Sequence, residues 1–245
     1  MRTNESMIGN SPALAAALEH LSSLAGIDRP ALILGERGTG KELAAQRLHF
    51  LSRRWDAPLV KVNCAAMDDN LLDSELFGYE PGAFTGANRR HAGRFERADG
   101  GTLFLDELAT MSQRLQESPA RDRARRIERL GGQQTLRVDV RVLGATNADL
   151  RSLAEGGRFR ADLLDRLSFD VVHLPPLRRR SGDIAELAQH FAVAMSADLG
   201  WDLFPGFTGP ALRTLEQHAA RQCARTEERG GAFAVPLGRP FQTGG

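Results

Sequence analysis

The chain has 245 residues, of which 42% are hydrophobic and 26% charged, so it can bury a sizeable core and is neither a disordered nor a fibrous protein. Its 32 basic and 31 acidic side chains leave a formal charge of +1, which excludes a globally basic nucleic-acid coat, and its two cysteines, Cys64 and Cys223, exclude a disulfide framework. Because no apolar run could span a bilayer and no apolar signal region is present, we expect a soluble, cytoplasmic protein without a membrane segment.

Short apolar runs alternate with helical patterns along the chain, which predicts an α/β fold with a five-stranded parallel sheet. The predicted strands are Ala31–Leu34, Leu59–Val62, Thr102–Leu105, Val140–Leu143 and Phe169–Leu174. Four of them end in glycine or polar residues. Since open α/β sheets bind ligands at the carboxyl ends of their strands, we expect a binding site at that edge.

Helical stretches lie between and after these strands. Ser11 is a suitable N-cap for a first helix that has Pro12 at its first position. A second helix is predicted from Glu42 to Leu51, and a third over Ile184–Met195, where apolar residues recur at helical spacing.

A glycine-rich segment, Gly35-Glu-Arg-Gly-Thr-Gly-Lys41, follows the first strand and opens a helix. We call it the phosphate loop, because its glycines allow backbone N–H groups to surround phosphate oxygens and Lys41 can reach the β- and γ-phosphates. Glu42 stands where the strict pattern has the Ser or Thr that binds Mg²⁺. The alternative is a purely structural turn between a strand and a helix.

Two acidic residues, Asp106 and Glu107, end the third predicted strand. At a sheet edge beside bound phosphates, Asp106 is suited to hold Mg²⁺ and Glu107 to polarise an attacking water. Acidic residues at strand ends are often merely solvated. The pair therefore predicts a catalytic site only in combination with the phosphate loop.

Three motifs together resemble a known family. The phosphate loop with Glu42, the hexapeptide Gly82-Ala-Phe-Thr-Gly-Ala87, and Gly100-Gly-Thr-Leu-Phe-Leu-Asp-Glu107 are similar to the AAA+ core of bacterial enhancer-binding proteins, ATPases that activate sigma-54 RNA polymerase. The likeness extends from about Ile8 to about Leu215, and the hexapeptide is close to diagnostic. It implies a P-loop three-layer sandwich with a helical lid, a hexameric assembly, and ATP and Mg²⁺ as cofactors.

The resemblance also implies roles for individual residues. Asp106 and Glu107 match the Walker B pair, Asn63 the asparagine that hydrogen-bonds the catalytic glutamate, and Arg160 and Arg166 the arginines that reach a neighbouring subunit's nucleotide. Surface ion pairs with Asp162 or Asp165 are the alternative for both arginines. The nucleotide-binding residues that match Walker A and sensor I are Gly35, Glu36, Arg37, Gly38, Thr39, Gly40, Lys41, Glu42, Thr146 and Asn147.

The hexapeptide is implied to form a protruding loop that contacts sigma-54. We call it the hexapeptide loop; its members are Gly82, Ala83, Phe84, Thr85, Gly86 and Ala87. Its glycines can act as hinges and Phe84 as an exposed aromatic contact, with a packed Phe84 as the alternative. Leu130–Gln134 resembles the second loop of the family, which moves with the first. In the phage-shock branch of the family, a tryptophan at the position of Trp55 is associated with the inhibitor phage shock protein A; a packed side chain is the alternative.

Two stretches depart from the family pattern. Segment 118–126 is polar and basic where the family has an amphipathic helix, and one choice of codons for Pro119–Arg126, taken from the second nucleotide, encodes Leu-Arg-Val-Ile-Glu-His-Gly, the family's helix. The chain after Ala219 also departs from the family pattern, and codons for Ala220–Arg229 read from the second nucleotide again encode a family-like peptide. We therefore hypothesise two frame slips, the first compensated and the second running to the C-terminus. The gene sequence around Pro119 and Ala220 tests this hypothesis.

The resulting domain prediction has three parts. Residues 1–177 form the AAA+ core with 118–126 anomalous, 178–218 begin a helical lid that is mostly missing, and 219–245 form an aberrant, disordered tail. We expect the lid's sensor II arginine and the enhancer-binding helix-turn-helix to be absent.

Three functions follow from these features. The first is an ATP-driven remodeller of sigma-54 polymerase closed complexes. The second is a catalytically impaired fragment that binds nucleotide or poisons hexamers of an intact homologue. The third is a different AAA+ machine, such as a clamp loader or protease unfoldase, against which the hexapeptide argues.

Overall fold

The computed structural model describes residues 7–120, 126–201 and 203–217. The predicted tail 219–245, most of the anomalous segment 118–126, and Cys223 lie outside the described residues. Within the described part of the chain, no helix is both long and apolar enough to cross a membrane.

The described residues form helices and strands in alternation. The strands are β1 (Ala31–Leu34), β2 (Leu59–Asn63), β3 (Gly78–Tyr79), β4 (His91–Ala92), β5 (Thr102–Asp106), β6 (Arg126–Glu128), β7 (Thr135–Arg137), β8 (Arg141–Thr146) and β9 (Val171–His173). The helices are α1 (Pro12–Ala25), α2 (Lys41–Phe50), α3 (Asp69–Phe77), α4 (Arg94–Arg97), α5 (Gln113–Ala120), α6 (Leu150–Glu155), α7 (Ala161–Leu167) and α8 (Asp183–Asp198).

The main sheet has five strands in the order β2-β5-β8-β1-β9, and every neighbouring pair is parallel. This confirms the predicted five-stranded parallel sheet. Four of the five strands differ from the prediction at their ends. β2 and β5 each extend one residue further, to Asn63 and Asp106. β8 begins one residue later and runs on to Thr146, and β9 is shorter than predicted, which leaves Phe169 exposed outside the sheet.

Helices cover both faces of the sheet, because alternate side chains of its strands point to opposite faces. Phe104 packs on one side in a core that includes Leu21 and Leu48 of α1 and α2. Its neighbours Leu103 and Leu105 belong to the core of the other side, with residues of α3 and α7. The fold is therefore the predicted three-layer sandwich.

Two short antiparallel hairpins were not predicted from the sequence. β3 pairs with β4, and β6 pairs with β7. The hexapeptide loop lies between β3 and β4, and the second loop lies between β6 and β7. A bridge between Tyr79 and Leu130 joins the two hairpins, so the bases of the two loops are in direct contact.

The N-cap predicted for α1 is confirmed. Ser11 Oγ accepts a hydrogen bond from the Leu14 N–H, and Ser11 Oγ–H in turn donates to Asp183 at 2.7 Å. Arg180 Nε donates to the same carboxylate at 2.8 Å. Burial acts to raise the pKa of Asp183, but the hydrogen bonds from Arg180, Ser11 and Asn10 outweigh it and the pKa is lowered.

The chain divides into two compact units after Asp183, six residues beyond the boundary expected at 177. The contacts of Arg180 and Asp183 with the start of the chain explain why these residues belong to the first unit. In the second unit, α8 contains the predicted helix Ile184–Met195, and residues 209–217 are also helical.

Candidate nucleotide-binding site

The phosphate loop connects the end of β1 to the start of α2. Gly38 and Gly40 have φ angles of 78° and 90°, in the left-handed region where a side chain is unfavourable. Gly40 is the N-cap of α2, and among the described residues no side chain caps this helix. The first N–H groups of α2 therefore face the loop, where the positive end of the helix dipole favours an anion.

Lys41 is the last residue of this loop and the first of α2, and it is only 7% exposed. Its Nζ donates to the carbonyl oxygens of Gly35 at 3.1 Å and Glu36 at 3.3 Å. Thr39 Oγ1 also donates to the Glu36 carbonyl, at 2.8 Å. The ammonium group is thus held over the loop by neutral acceptors, which phosphate oxygens can replace with stronger, charged ones.

Asp106 and Glu107, the two carboxylates expected to form the Walker B pair, lie at the end of β5, beside the phosphate loop. Asp106 is paired in register with Asn63 of β2, and its Oδ1 accepts from the Glu107 N–H at 2.9 Å. Glu107 has a φ of 51°, the one non-glycine residue of the described chain with a positive φ. Its Oε1 lies 4.0 Å from Arg37 Nε, so this strained residue faces the phosphate loop.

Asn63 and Glu107 are not joined in this structure. Asn63 Oδ1 accepts from the Ala65 N–H at 2.9 Å and caps a short 3₁₀ helix. Within the described residues no hydrogen bond links it to Glu107, so the expected pairing stays a prediction.

Thr146 and Asn147, the residues expected to act as sensor I, lie at the end of β8. Thr146 is fully buried, and its carbonyl accepts from the Gly35 N–H at 3.2 Å, which fixes the end of β8 to the phosphate loop. Thr146 Oγ1 accepts from the Ala148 N–H at 3.1 Å, and Asn147 is exposed.

The residues present fit a magnesium ion only together with phosphate. In the described part of the chain, no group of three or more His, Cys, Asp or Glu side chains could hold a metal by itself. Mg²⁺ is commonly bound by one or two carboxylates plus substrate phosphates, and Asp106 stands where it could supply such a carboxylate.

Cys64 is buried next to this edge, and burial, followed by the charges of Asp106 and Glu107, raises the pKa of its thiol to about 12. A thiol that stays protonated is inert, in agreement with a structural role.

The two candidate trans arginines differ in their surroundings. Arg160 Nε donates to Asp162 at 3.0 Å and Nη1 to Glu117 at 3.1 Å, so the surface ion pair named as the alternative is present in the single chain. Arg166 Nη1 is buried and has no hydrogen-bond partner among the described residues.

The hexapeptide loop is a closed turn with an exposed tip. Gly82 N–H donates to the Ala87 carbonyl at 2.8 Å, and Ala87 N–H donates to the Phe84 carbonyl at 3.0 Å. Gly82 and Gly86 both have positive φ angles. Phe84 remains 48% exposed, while its ring packs against Tyr79 in a T-shaped arrangement.

Arg129 is a buried residue that sequence reasoning missed. Its side chain donates to Glu80, at the base of the hexapeptide loop, and to Glu96 of α4. The hydrogen bond from Arg129 lowers the pKa of Glu96 and outweighs the opposing effect of burial. Glu80 and Glu96 are far from Arg129 in the sequence, so no local sequence pattern predicts these contacts.

Trp55 is 63% exposed. The packed side chain considered as the alternative for this residue is therefore not what the structure contains.

The fold and the site together define a P-loop NTPase of the AAA+ class. The model of the sigma-54 interaction domain family matches residues 7–173, and the chain belongs to this family. The resemblance stated from the motifs is thereby confirmed.

The chain is also similar to curated transcriptional regulators. The chain is 57% identical over 212 residues to the Psp operon transcriptional activator of Escherichia coli K12, covering 86% of this chain and 65% of that protein. It is 47% identical to the transcriptional regulatory protein ZraR of Klebsiella oxytoca and 45% identical to the Nif-specific regulatory protein of Azotobacter vinelandii, covering 48% and 40% of them and 87% and 86% of this chain. The chain thus spans less than two thirds of these relatives.

Solved structures of NtrX have a similar fold. The crystal structure of NtrX from Brucella abortus has a TM-score of 0.77 and 32% identity, covering 89% of this chain and 52% of that one. NtrX in complex with ATP matches with a TM-score of 0.76 at 31% identity, covering 90% of this chain and 51% of that one.

Proposed function

We propose that this protein is an ATP-dependent activator of sigma-54 RNA polymerase, of the phage-shock-operon type, which remodels closed promoter complexes. The observation that carries the proposal is the meeting of the buried Lys41, the phosphate loop and the strained Glu107 at one edge of the sheet. Family membership and the ATP complex of the related NtrX support the nucleotide.

The residues divide the work of hydrolysis between them. The N–H groups at the start of α2 and the Lys41 ammonium bind the phosphates, and Lys41 exchanges its two carbonyl partners for phosphate oxygens. Asp106 would hold Mg²⁺ together with the phosphates, and the ion would neutralise part of the phosphate charge. Glu107 accepts a proton from the attacking water.

The chain offers a continuous connection from the site to the hexapeptide loop. Asn63 caps the short 3₁₀ helix, which is followed by α3, β3 and then the loop itself. We propose that a nucleotide-dependent hydrogen bond between Asn63 and Glu107 removes the cap and so alters the position of α3. The hexapeptide loop would then move against sigma-54.

Assembly and further partners belong to the same proposal. In a hexamer, Arg160 and Arg166 would point to the neighbouring subunit's nucleotide. Arg166 is the better suited of the two, since its Nη1 has no hydrogen-bond partner in the part of the chain that the structure describes. The exposed Trp55 would be the contact for phage shock protein A. Enhancer DNA binding belongs to the intact family member, and we place the complex in the cytoplasm.

A second candidate is an impaired fragment that binds nucleotide without turnover. It is favoured by the departure from the family pattern that starts at Pro119, within α5. Such a chain would occupy nucleotide or enter hexamers of an intact homologue unproductively.

ATP hydrolysis and size-exclusion chromatography with nucleotide separate these two candidates. The remodeller hydrolyses ATP, assembles with nucleotide, and binds sigma-54 in the presence of a transition-state analogue. The fragment binds ATP without hydrolysing it. Lys41→Ala serves as the control that removes phosphate binding. A wild-type chain with no affinity for adenine nucleotides in the presence of Mg²⁺ contradicts both candidates.

A further inference from the structure

We propose that Tyr79 is a positioning residue for the sigma-54 contact: its ring, backed by His91, forms an aromatic platform on which Phe84 rests while the hexapeptide loop is retracted. The platform is defined as the side chains of Tyr79 and His91. That Phe84 leaves the platform to contact sigma-54 rests on the proposed function, whereas the contact between Phe84 and the platform does not.

The aromatic platform consists of two rings that stack on each other. Tyr79 and His91 have ring centroids 5.2 Å apart and an interplanar angle of 22°. The Phe84 and Tyr79 rings form a T-shaped, edge-to-face pair, with centroids 4.9 Å apart and an interplanar angle of 62°. Edge-to-face contact at this distance is an arrangement that aromatic pairs prefer. The contact with Tyr79 therefore stabilises Phe84 on the platform.

The platform itself is held by the backbone of the hairpin. Tyr79 and His91 are register partners of β3 and β4, which places their rings side by side. His91 Nε2 lies 3.4 Å from Glu75 Oε1 but has no hydrogen-bond partner among the described residues, whereas Glu75 is bound by Arg94 at 2.7 Å. Tyr79 is bridged through its backbone to Leu130 of the second loop. Phe84 alone is exposed, between glycines with positive φ, and is therefore the ring that can leave.

The platform competes with sigma-54 for the same side chain. An aromatic edge contact is worth about a two- to tenfold change in an equilibrium constant. Removing the Tyr79 ring should therefore free Phe84 and strengthen sigma-54 binding by that factor. A side chain needed only for folding would give the opposite result, weaker binding.

The resting contact can be tested without nucleotide or partner, because Tyr79 is the only tyrosine of the sequence. The full chain labelled with 3-fluorotyrosine has a single ¹⁹F resonance. We expect Phe84→Leu to shift it, because the shielding of the Phe84 ring is lost. Phe50→Leu, at a phenylalanine of similar exposure, should leave it unchanged. An unchanged resonance in Phe84→Leu overturns the proposal.

The release is tested by sigma-54 binding with a transition-state analogue. We expect Tyr79→Ala to bind about two- to tenfold more tightly than wild type and Tyr79→Phe, which retains the ring, to bind as wild type does. Unchanged or weaker binding by Tyr79→Ala overturns the role in release. If wild type does not bind sigma-54 yet the ¹⁹F shift occurs, the proposed function fails and the platform stands.

Discussion

Arg129 binds Glu96 through two parallel hydrogen bonds, from Nε to Oε1 at 2.7 Å and from Nη2 to Oε2 at 2.6 Å. Its remaining Nη1 donates to Glu80 at 2.6 Å, and its side chain is only 2% exposed. One guanidinium thus joins the hairpin of the second loop to α4 and to the base of the hexapeptide loop. Arginine suits this site because its planar fork matches a carboxylate.

Arg129→Ala should destabilise the first unit by about 2 kcal/mol, because Glu80 and Glu96 lose their shared cation and Glu96 keeps only a longer contact with Arg90, at 3.4 Å. Arg129→Lys should recover only part of this loss, since a point charge cannot replace the fork. Urea unfolding measures both. Arg137→Ala, on an exposed position of β7, is the control and should change stability by less than about 0.5 kcal/mol. Equal losses for Arg129→Ala and Arg137→Ala would contradict the argument.

The stability contributed by Glu96 should depend on pH. Arg129 lowers the pKa of Glu96 in the folded chain. The contribution is therefore complete above the unfolded pKa, about 4.3, and is lost as the pH falls through the lower folded pKa. The difference in unfolding free energy between wild type and Glu96→Gln should be largest above about pH 5 and shrink towards pH 3. A difference that is constant over this range would show that Glu96 acts through packing alone.

Gly131 of the second loop touches the hexapeptide loop. A Cβ at Gly131 would lie 2.8 Å from both Cα and Cβ of Ala83, and the φ of Gly131 is 71°. Gly131→Ala should therefore push the loops apart and weaken sigma-54 binding at least several-fold, while ATP binding is retained. Gly157→Ala is a matched control, since its φ is 67° but nothing lies within 4 Å. Equal effects of the two variants on sigma-54 binding would assign the loss to backbone strain.

The sequence predicted the sheet well because each buried strand is a short apolar run between polar ends. Ala31–Leu34 has the predicted bounds, and Thr102–Asp106 extends the prediction by one residue. The hairpins β3–β4 and β6–β7 were missed because they have two or three residues per strand and are stabilised by contact with each other.

The sequence predicted those residues of the candidate site that belong to recognisable motifs, and not the features that depend on the folded backbone. Lys41 was found because the spacing of the phosphate loop follows from the chemistry of phosphate binding. Asp106 and Glu107 were found because they end an apolar strand at the same edge of the sheet. The positive φ of Glu107 and the cap made by Asn63 depend on the folded backbone. Arg129 contacts residues 33 and 49 positions away, so its role follows from topology and not from local pattern.

Arg178 holds the phosphate loop from the segment after β9. Its Nη1 lies 2.6 Å from Glu36 Oε1, in a pair that is partly exposed and should add little to stability. We expect Arg178→Ala to raise KM for ATP about two- to fivefold with kcat nearly unchanged, because the loop is less well ordered for binding. Arg179→Ala, at the neighbouring exposed position, should leave both parameters unchanged. A fall in kcat at constant KM would place Arg178 in the chemical step instead.

Glu107 combines backbone strain with its proposed role as the base. A residue other than glycine in the left-handed region costs about 1 kcal/mol, and Glu107 has a φ of 51°. Glu107→Gly should therefore raise the unfolding free energy by about 1 kcal/mol and reduce ATP hydrolysis at least about 100-fold. Glu107→Gln should lose hydrolysis equally but gain no stability from backbone relief. Thermal unfolding, ATP binding and phosphate release measured on the same preparations separate the two effects. If the glycine variant were no more stable than the glutamine variant, the strain would not be stored at this residue, and the unusual φ would need no functional explanation.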